Sequence, residues 1–312
     1  MNRLGYGCSA LVGGRSRREA RRLLEVAFDA GIRHFDVARV YGSGDAERIL
    51  GEFAADKRDV LTIASKFGIR SRLSHRRATP VKTAVRALTR RSRRALRFVR
   101  RHARASVVAG AFTPSEMQAS LAQSLAALGV DRLDLWLLHD CTADEWLDPP
   151  LHAALADVAE RGLVDRIGTA TSFDVTCEMF ERNGTLPDVV QFEDSAAAAH
   201  AATFRARFGF SEIVTHGAFR HGFAALHGRL AADDDLASRW QDRLGVDVRS
   251  EQELAALTLA TLLDANPDGV VLVSSGTEER IRANARVADE QPFARDQLDE
   301  FRRLVGGLET RT

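Results

Sequence analysis

The sequence predicts a parallel α/β protein closed into a (β/α)8 TIM barrel, and three observations carry that reading. Eight short runs rich in β-branched and apolar residues recur along the 312 residues, with helix-period stretches between them. Runs such as 133–139 (Leu-Asp-Leu-Trp-Leu-Leu-His) and 269–275 (Gly-Val-Val-Leu-Val-Ser-Ser) lack strict alternation, as strands covered on both faces do. No GxGxxG follows the first run and no GxxxxGK[ST] occurs anywhere, so the usual phosphate-binding turns of an open doubly wound sheet are missing.

The elements follow in order. Strands are expected at Leu4–Ser9, Ile32–Val37, Val60–Lys66, Leu133–His139, Arg166–Thr171, Val189–Glu193, Glu212–Gly217 and Gly269–Ser275. Helical spacing marks Arg17–Ala30, Ala46–Ala55, Pro114–Gly129, Leu151–Gly162 and Gln252–Ala265. Ala30-Gly31 and Leu128-Gly129 put glycine just past a helix, and Thr113-Pro114-Ser115-Glu116 reads as a cap with proline in the first turn. A further helix follows the eighth strand, where Ser275 and Glu278 have the spacing of a capping box.

Composition narrows the class. Apolar residues make up 45% and charged residues 28%, the balance of a folded globular chain and not of a disordered or collagen-like one. No apolar run nears the roughly 20 residues that span a bilayer, and the N-terminus has no signal-peptide stretch. Cys8, Cys141 and Cys177 lie far apart with no CxxC, which suggests neither a disulfide framework nor a zinc site; a cytoplasmic protein is expected, with no metal.

The net charge of +1 hides an asymmetry. Fourteen Lys and Arg fall between Arg70 and Arg104, no acid occurs between Asp59 and Glu116, and the rest of the chain is formally −13. Within this arm Val81, Val85, Leu88, Ala95, Leu96 and Val99 keep helical spacing among arginines, so residues 68–112 read as a basic, helical insertion after the third strand of a single 1–312 domain. The plain reading is a solvated helix docked on the barrel. The sharper one is recruitment of an anionic substrate. A nucleic-acid partner ranks last, because Phe98 is the arm's one aromatic and gives a poor stacking platform.

In such a barrel, reactive groups sit at the C-terminal ends of the strands. Asp36 follows the second strand, Lys66 ends the third and His139 ends the fourth, with Tyr41 five residues after Asp36. Adjacent strands are about 5 Å apart, so the four can converge. Taken singly, each is a turn residue, a solvated cap or a core histidine. Together they form a coherent set. A lysine beside the tyrosine is expected to lower its pKa, a carboxylate to keep the lysine charged, and a histidine to hydrogen-bond a substrate carbonyl. The turn after the eighth strand, Ser274-Ser275-Gly276-Thr277, opens a helix whose N-terminus suits a phosphate, with Arg280 as a planar fork. Trp146 reads either as a substrate wall or as a tryptophan packed on the barrel.

Several of these segments resemble the aldo-keto reductase superfamily, over most of the chain. Phe35-Asp36-Val37-Ala38-Arg39-Val40-Tyr41-Gly42, continuing to Glu47-Arg48-Ile49-Leu50-Gly51, is similar to the family's signature around its aspartate and tyrosine. Ile63-Ala64-Ser65-Lys66, the segment 128–139 ending in His139, and Gly162-Leu163-Val164-Asp165-Arg166-Ile167-Gly168 are similar to its next strands. The resemblance implies an NADP-dependent oxidoreductase that reduces an aldehyde or ketone to an alcohol. In it Tyr41 is the general acid, Lys66 and Asp36 tune it, and His139 orients the carbonyl. It also implies that Ser275, Arg280 and Asn284 bind the adenosine end of NADPH and that Gln191 holds the nicotinamide amide. Ser274, Gly276 and Thr277 join them as cofactor-binding residues of the phosphate turn, and Thr171 offers one hydrogen bond to the nicotinamide.

Departures accompany the match. Ser274 stands where the family has lysine, one cation fewer for a 2′-phosphate, so NADH is admitted beside NADPH. Ala170-Thr171 replaces Ser-Asn, and Val214–Ala218 offers only His216 where the family stacks an aromatic on the nicotinamide. The chain begins almost at strand one, and Lys66 and His139 are 73 residues apart, a gap several tens of residues longer than usual. These departures feed an alternative reading: a cofactor-binding sensor or partner-binding protein on a reductase scaffold, with vestigial turnover.

Overall fold

A computed structural model describes residues 3–71, 107–109, 112–182, 184–220 and 222–309. Eight parallel strands close into a barrel: β1 (Leu4–Gly7), β2 (His34–Asp36), β3 (Thr62–Phe67), β6 (Leu133–His139), β7 (Val164–Ala170), β8 (Val189–Glu193), β9 (Ile213–His216) and β10 (Val270–Val273). Each pairs with the next in the chain, and β1 closes the ring against β10. The remaining strands, β4 (Ile69–Ser71) and β5 (Val107–Ala109), pair antiparallel as a ribbon beside the barrel. That ribbon joins the two flanks of the basic arm. Residues 72–106, with the amphipathic helix expected there, lie outside the described residues.

Helices cover the ring: α1 (Arg17–Asp29), α2 (Asp45–Ala54), α3 (Pro114–Leu128), α4 (Ala143–Trp146), α5 (Pro149–Glu160), α6 (Phe173–Glu181), α7 (His200–Phe208), α8 (Phe223–Ala232), α9 (Asp234–Leu244), α10 (Glu251–Ala265), α11 (Glu278–Glu290) and α12 (Arg295–Glu309). The expected caps form at α1, where Ser16 and Glu19 make a capping box, and at α3, where Thr113 caps Glu116 N and Gly129 takes a left-handed φ of 67°. Gly51 is required by packing. A β-carbon there would collide with the Leu128 carbonyl at the end of α3, so α2 and α3 approach backbone to backbone.

Alternation along the strands sorts the core into two shells. Ala64, Leu135, Val189, Val214 and Leu272 fill the barrel interior. Trp136, Phe67, Phe35 and Phe192 belong to the larger cluster between sheet and helices, Trp136 stacking on Phe67 with centroids 4.6 Å apart. Cys8, Cys141 and Cys177 are all buried and free. Among the described residues no helix is long and apolar enough to cross a membrane.

One interior position carries a stability consequence. His34 lies on the inward face of β2, below Asp36, and its buried Nε2 has no hydrogen-bond partner. Burial pushes its pKa down to about 4. In the unfolded chain a histidine takes its proton near pH 6.5, so the unfolded state binds more protons as pH falls. Stability is therefore full above about pH 6.5 and is lost as the pH drops toward 4. Chemical denaturation across that range checks this: His34→Leu lessens the acid loss, leaving the share of the other buried histidines, His139 and His216, and an unchanged loss would show that His34 makes no contribution.

Candidate active site

The C-terminal ends of the barrel strands open onto a cavity of about 380 Å³. Asp36, Tyr41, Lys66 and His139 all line it, joined by Gly7, Ser9, Ala170, Gln191, Leu272, Val273, Ser274 and the run His216–Arg220. Register explains the convergence. Gly7 pairs with Asp36, His139 with Ala170 and Ala170 with Gln191, so these residues form one level at the top of the ring.

At the base of the cavity Lys66 Nζ donates to Asp36 Oδ1 and lies 3.3 Å from the Val37 carbonyl. The two side chains are only 2% and 5% exposed, so this ion pair is dry. Gln191 reaches across the barrel and donates from Nε2 to Asp36 Oδ2 at 2.9 Å. Burial alone would push the Asp36 carboxyl up, but Lys66 and the Gln191 amide hold it below its ordinary value. Burial is likewise the largest influence on Lys66 and pulls it down, but Asp36 together with Tyr41 and Cys8 outweighs it, so the ammonium stays charged.

Tyr41 stands over that pair, with Lys66 Nζ 5.9 Å from its ring centroid. The phenol differs from expectation in one respect. Lys66 does pull its pKa down, but burial is the larger influence and the net shift is upward. Tyr41 therefore holds its proton firmly. Burial and the nearby Lys66 cation push His139 down to about 3, and burial first, with Lys66, takes His216 to about 4. Both rings are neutral donors or acceptors at ordinary pH.

The remaining expected residues spread outward. Thr171 is buried beside the cavity and donates its hydroxyl to the Cys141 carbonyl at 2.9 Å, leaving its oxygen as an acceptor. Ser274 lines the cavity and starts the turn through Ser275, Gly276 and Thr277 to α11, which carries Arg280 and Asn284 outside it. The capping box expected between Ser275 and Glu278 does not form. The helix N-cap is Thr277, with no side-chain cap; the Ser275 hydroxyl turns onto Thr277, and Glu278 pairs with Arg22 and Arg282. Sequence spacing matched a cap that the start of the helix, two residues later, cannot use. Arg280 pairs with Glu251 at 3.2 Å, both exposed.

Several contributors were not read from sequence. Phe219 and Arg220 complete the wall beyond β9. The Tyr6 hydroxyl donates to the Ser275 carbonyl at 2.8 Å and Arg15 Nη2 to Gly276 at 3.1 Å, fixing the turn after β10. Only the closure of β1 against β10 reveals those pairs, which span more than 260 residues. Trp146 is packing, not wall: it is buried, with Nε1 donating to the Thr185 carbonyl at 2.7 Å.

A dry ion pair predicts a sharp stability signature. Asp36→Asn leaves the Lys66 cation buried without its counter-charge and is expected to cost about 3–5 kcal/mol. Denaturant unfolding tests this, and Asp36→Leu combined with Lys66→Met should recover much of the loss. A loss below about 1 kcal/mol in Asp36→Asn would show that the pair is solvated.

Comparison with known proteins agrees with this fold. A sequence model described as the Aldo/keto reductase family matches residues 3–205. D-threo-aldose 1-dehydrogenase from a Pseudomonas species is 37% identical over 173 residues, covering 53% of this chain and 48% of that protein. The chain thus matches about half the length of that curated relative. In fold it is similar to the holo form of an aldo-keto reductase from Bacillus halodurans, with a TM-score of 0.69 at 17% identity, covering 97% of this chain and 91% of that one. It is also similar to an aldo-keto reductase from Klebsiella pneumoniae in complex with NADPH, with a TM-score of 0.62 at 18% identity and coverages of 97% and 91%. The stretch that matches the family model includes the strands and turn that carry Asp36, Tyr41, Lys66 and His139, and the chain belongs to the aldo/keto reductase family.

Proposed function

We propose that this chain is an NAD(P)H-dependent oxidoreductase that reduces a small aldehyde or ketone to its alcohol, with Tyr41 as the proton donor. The observation that carries this reading is the dry Lys66–Asp36 pair beneath a protonated Tyr41, with a neutral His139 in the same cavity.

The residues present fit a nicotinamide dinucleotide. Gln191 has one amide N–H on Asp36, which leaves its carbonyl and second N–H for a carboxamide, and Thr171 offers an acceptor beside it. Ser274, at the cavity rim, leads to the uncapped start of α11, whose free N–H groups favour a phosphate. Ser275, Gly276, Thr277, Arg280 and Asn284 would hold the adenosine end there. When bound, the cofactor supplies a hydride from C4 of its nicotinamide.

The chain's own residues do the rest. His139 is kept neutral by burial and by Lys66, so it can hydrogen-bond the carbonyl oxygen without itself becoming an acid. Tyr41 gives its proton to that oxygen as negative charge develops. Lys66 stabilises the phenolate left behind, and Asp36 keeps Lys66 charged for that task. Ala170, Leu272, Val273 and Phe219 supply apolar walls that limit water. Arg220 at the rim favours a substrate that carries an anionic group. The alternative reading, a sensor with vestigial turnover, gains no support among the described residues.

Tyr41→Phe is the direct test. Carbonyl-dependent oxidation of NADPH, followed at 340 nm, should fall by about 1,000-fold or more while cofactor affinity changes little. Equal turnover in the variant would remove Tyr41 from the reaction. A second expectation concerns cofactor choice. The Arg280–Glu251 pair is exposed and weakly held, so the guanidinium is free to turn to a 2′-phosphate. Arg280→Ala should weaken NADPH about tenfold and leave NADH unchanged. A parallel loss for both cofactors would assign Arg280 to some other contact.

A further inference from the structure

A second ion pair, buried on its carboxylate side and half-buried on its guanidinium side, flanks the turn that carries Tyr41, and the proton transfer itself assigns it no part. Arg39 lies two residues before Tyr41 and Glu47 six after it. Glu47, in the first turn of α2, is fully buried; its Oε2 accepts from Arg39 Nη1 at 2.8 Å. Its Oε1 accepts from the buried Ser65 hydroxyl at 2.9 Å. Ser65 directly precedes Lys66 on β3 and faces the helical layer, while Lys66 points into the barrel. One carboxylate therefore ties together the two elements that carry Tyr41 and Lys66.

The chain between Arg39 and Glu47 needs such a clamp. Gly42, Ser43 and Gly44 have φ values of 61°, 58° and 87°, three successive left-handed residues, one of them without glycine's freedom. Backbone of this kind persists only where its surroundings enforce it. The Arg39 guanidinium covers Gly44, where a β-carbon would strike it, and Arg39 Nη2 continues to Gln123 Oε1 on α3 at 3.1 Å.

We propose that Glu47 is a positioning residue: through Arg39 and Ser65 it sets the separation between Tyr41 and Lys66. The proposal rests on reading Tyr41 as the proton donor, yet its test does not depend on turnover. After burial, Lys66 is the strongest influence on the phenol, pulling its pKa down. Asp36 and Cys8 push it up, Arg220 pulls it down, and His139 and His216 are neutral. A turn released from its clamp moves Tyr41 away from Lys66, and the phenol then becomes a weaker acid.

The chain has two tyrosines, Tyr6 and Tyr41, so tyrosine labelled with carbon-13 at Cζ gives two NMR signals, assigned with Tyr41→Phe. In Glu47→Gln the Tyr41 titration midpoint should rise by about half a unit or more while Tyr6 holds. In the same variant kcat should fall about tenfold or more, with the KM for the carbonyl little changed. Ser65→Ala keeps the Arg39–Glu47 pair and should shift the midpoint the same way by less, which decides the matter if Glu47→Gln does not fold. An unmoved midpoint in the folded variants, or a loss of kcat that only follows the melting temperature, would overturn the proposal. A wild-type chain inert toward carbonyls would overturn the functional reading instead, and the titration would still decide the clamp.

Discussion

The dry contact between Lys66 and Asp36 is the constraint on which the rest of the site depends. Two opposite charges buried at the mouth of a barrel persist only when they face each other and their remaining hydrogen-bonding positions are filled. Asp36 meets that condition with Lys66 on one oxygen and Gln191 on the other; Lys66 also has the Val37 carbonyl in reach. The pair needs strands β2 and β3 adjacent and β8 opposite, which the closed ring supplies. In turn the lysine charge sets its neighbours. It adds to the burial that keeps His139 neutral and opposes the burial that raises the Tyr41 pKa.

Around this core the molecule separates two tasks. In the proposed reaction the inner set is held by neighbouring elements, with Asp36, Lys66 and His139 on strands and Tyr41 on the turn after β2. The buried charges of Lys66 and Asp36 are screened little by salt. The groups suited to a large anionic ligand, Arg220 at the rim and Arg280 on α11, are exposed. In the proposed reaction their contribution would belong to affinity and be sensitive to ionic strength, whereas the inner set would govern the chemical step. The turn after β10 links the two. Tyr6 and Arg15, from the first strand and the approach to α1, fix its carbonyls.

Much of this was legible in the sequence because the signals are local. Strand ends show as apolar runs broken by a polar residue, and that alone located Asp36, Lys66 and His139. The strand bounds agree within about two residues, closely enough to put each side chain on the correct face. Helices α4, α6, α7, α8, α9 and α12 were not read. Ser172 and Asp233 cap two of them, but phenylalanines at 173, 180, 204, 208 and 210 blur the polar face that periodicity requires. What depends on distant contact was out of reach. Burial reverses the expected shift of Tyr41, barrel closure creates the Tyr6 and Arg15 contacts, and the start of α11 at Glu278 voids the Ser275 capping box. Arg39, Ser65 and Glu47 were visible as motif residues, but their mutual contacts were not.

The central claim is that a charged Lys66, buried on Asp36, enables Tyr41 to complete a hydride reduction. The most direct measurement supplies NADPH deuterated at C4 with a small aldehyde and analyses the product by mass spectrometry, for the wild type beside Lys66→Met. The account predicts an alcohol carrying one deuterium on its carbinol carbon from the wild type, and almost none from the variant. Deuterated alcohol formed equally fast without Lys66, or no alcohol from a wild type saturated with cofactor across a panel of aldehydes and ketones, would contradict it.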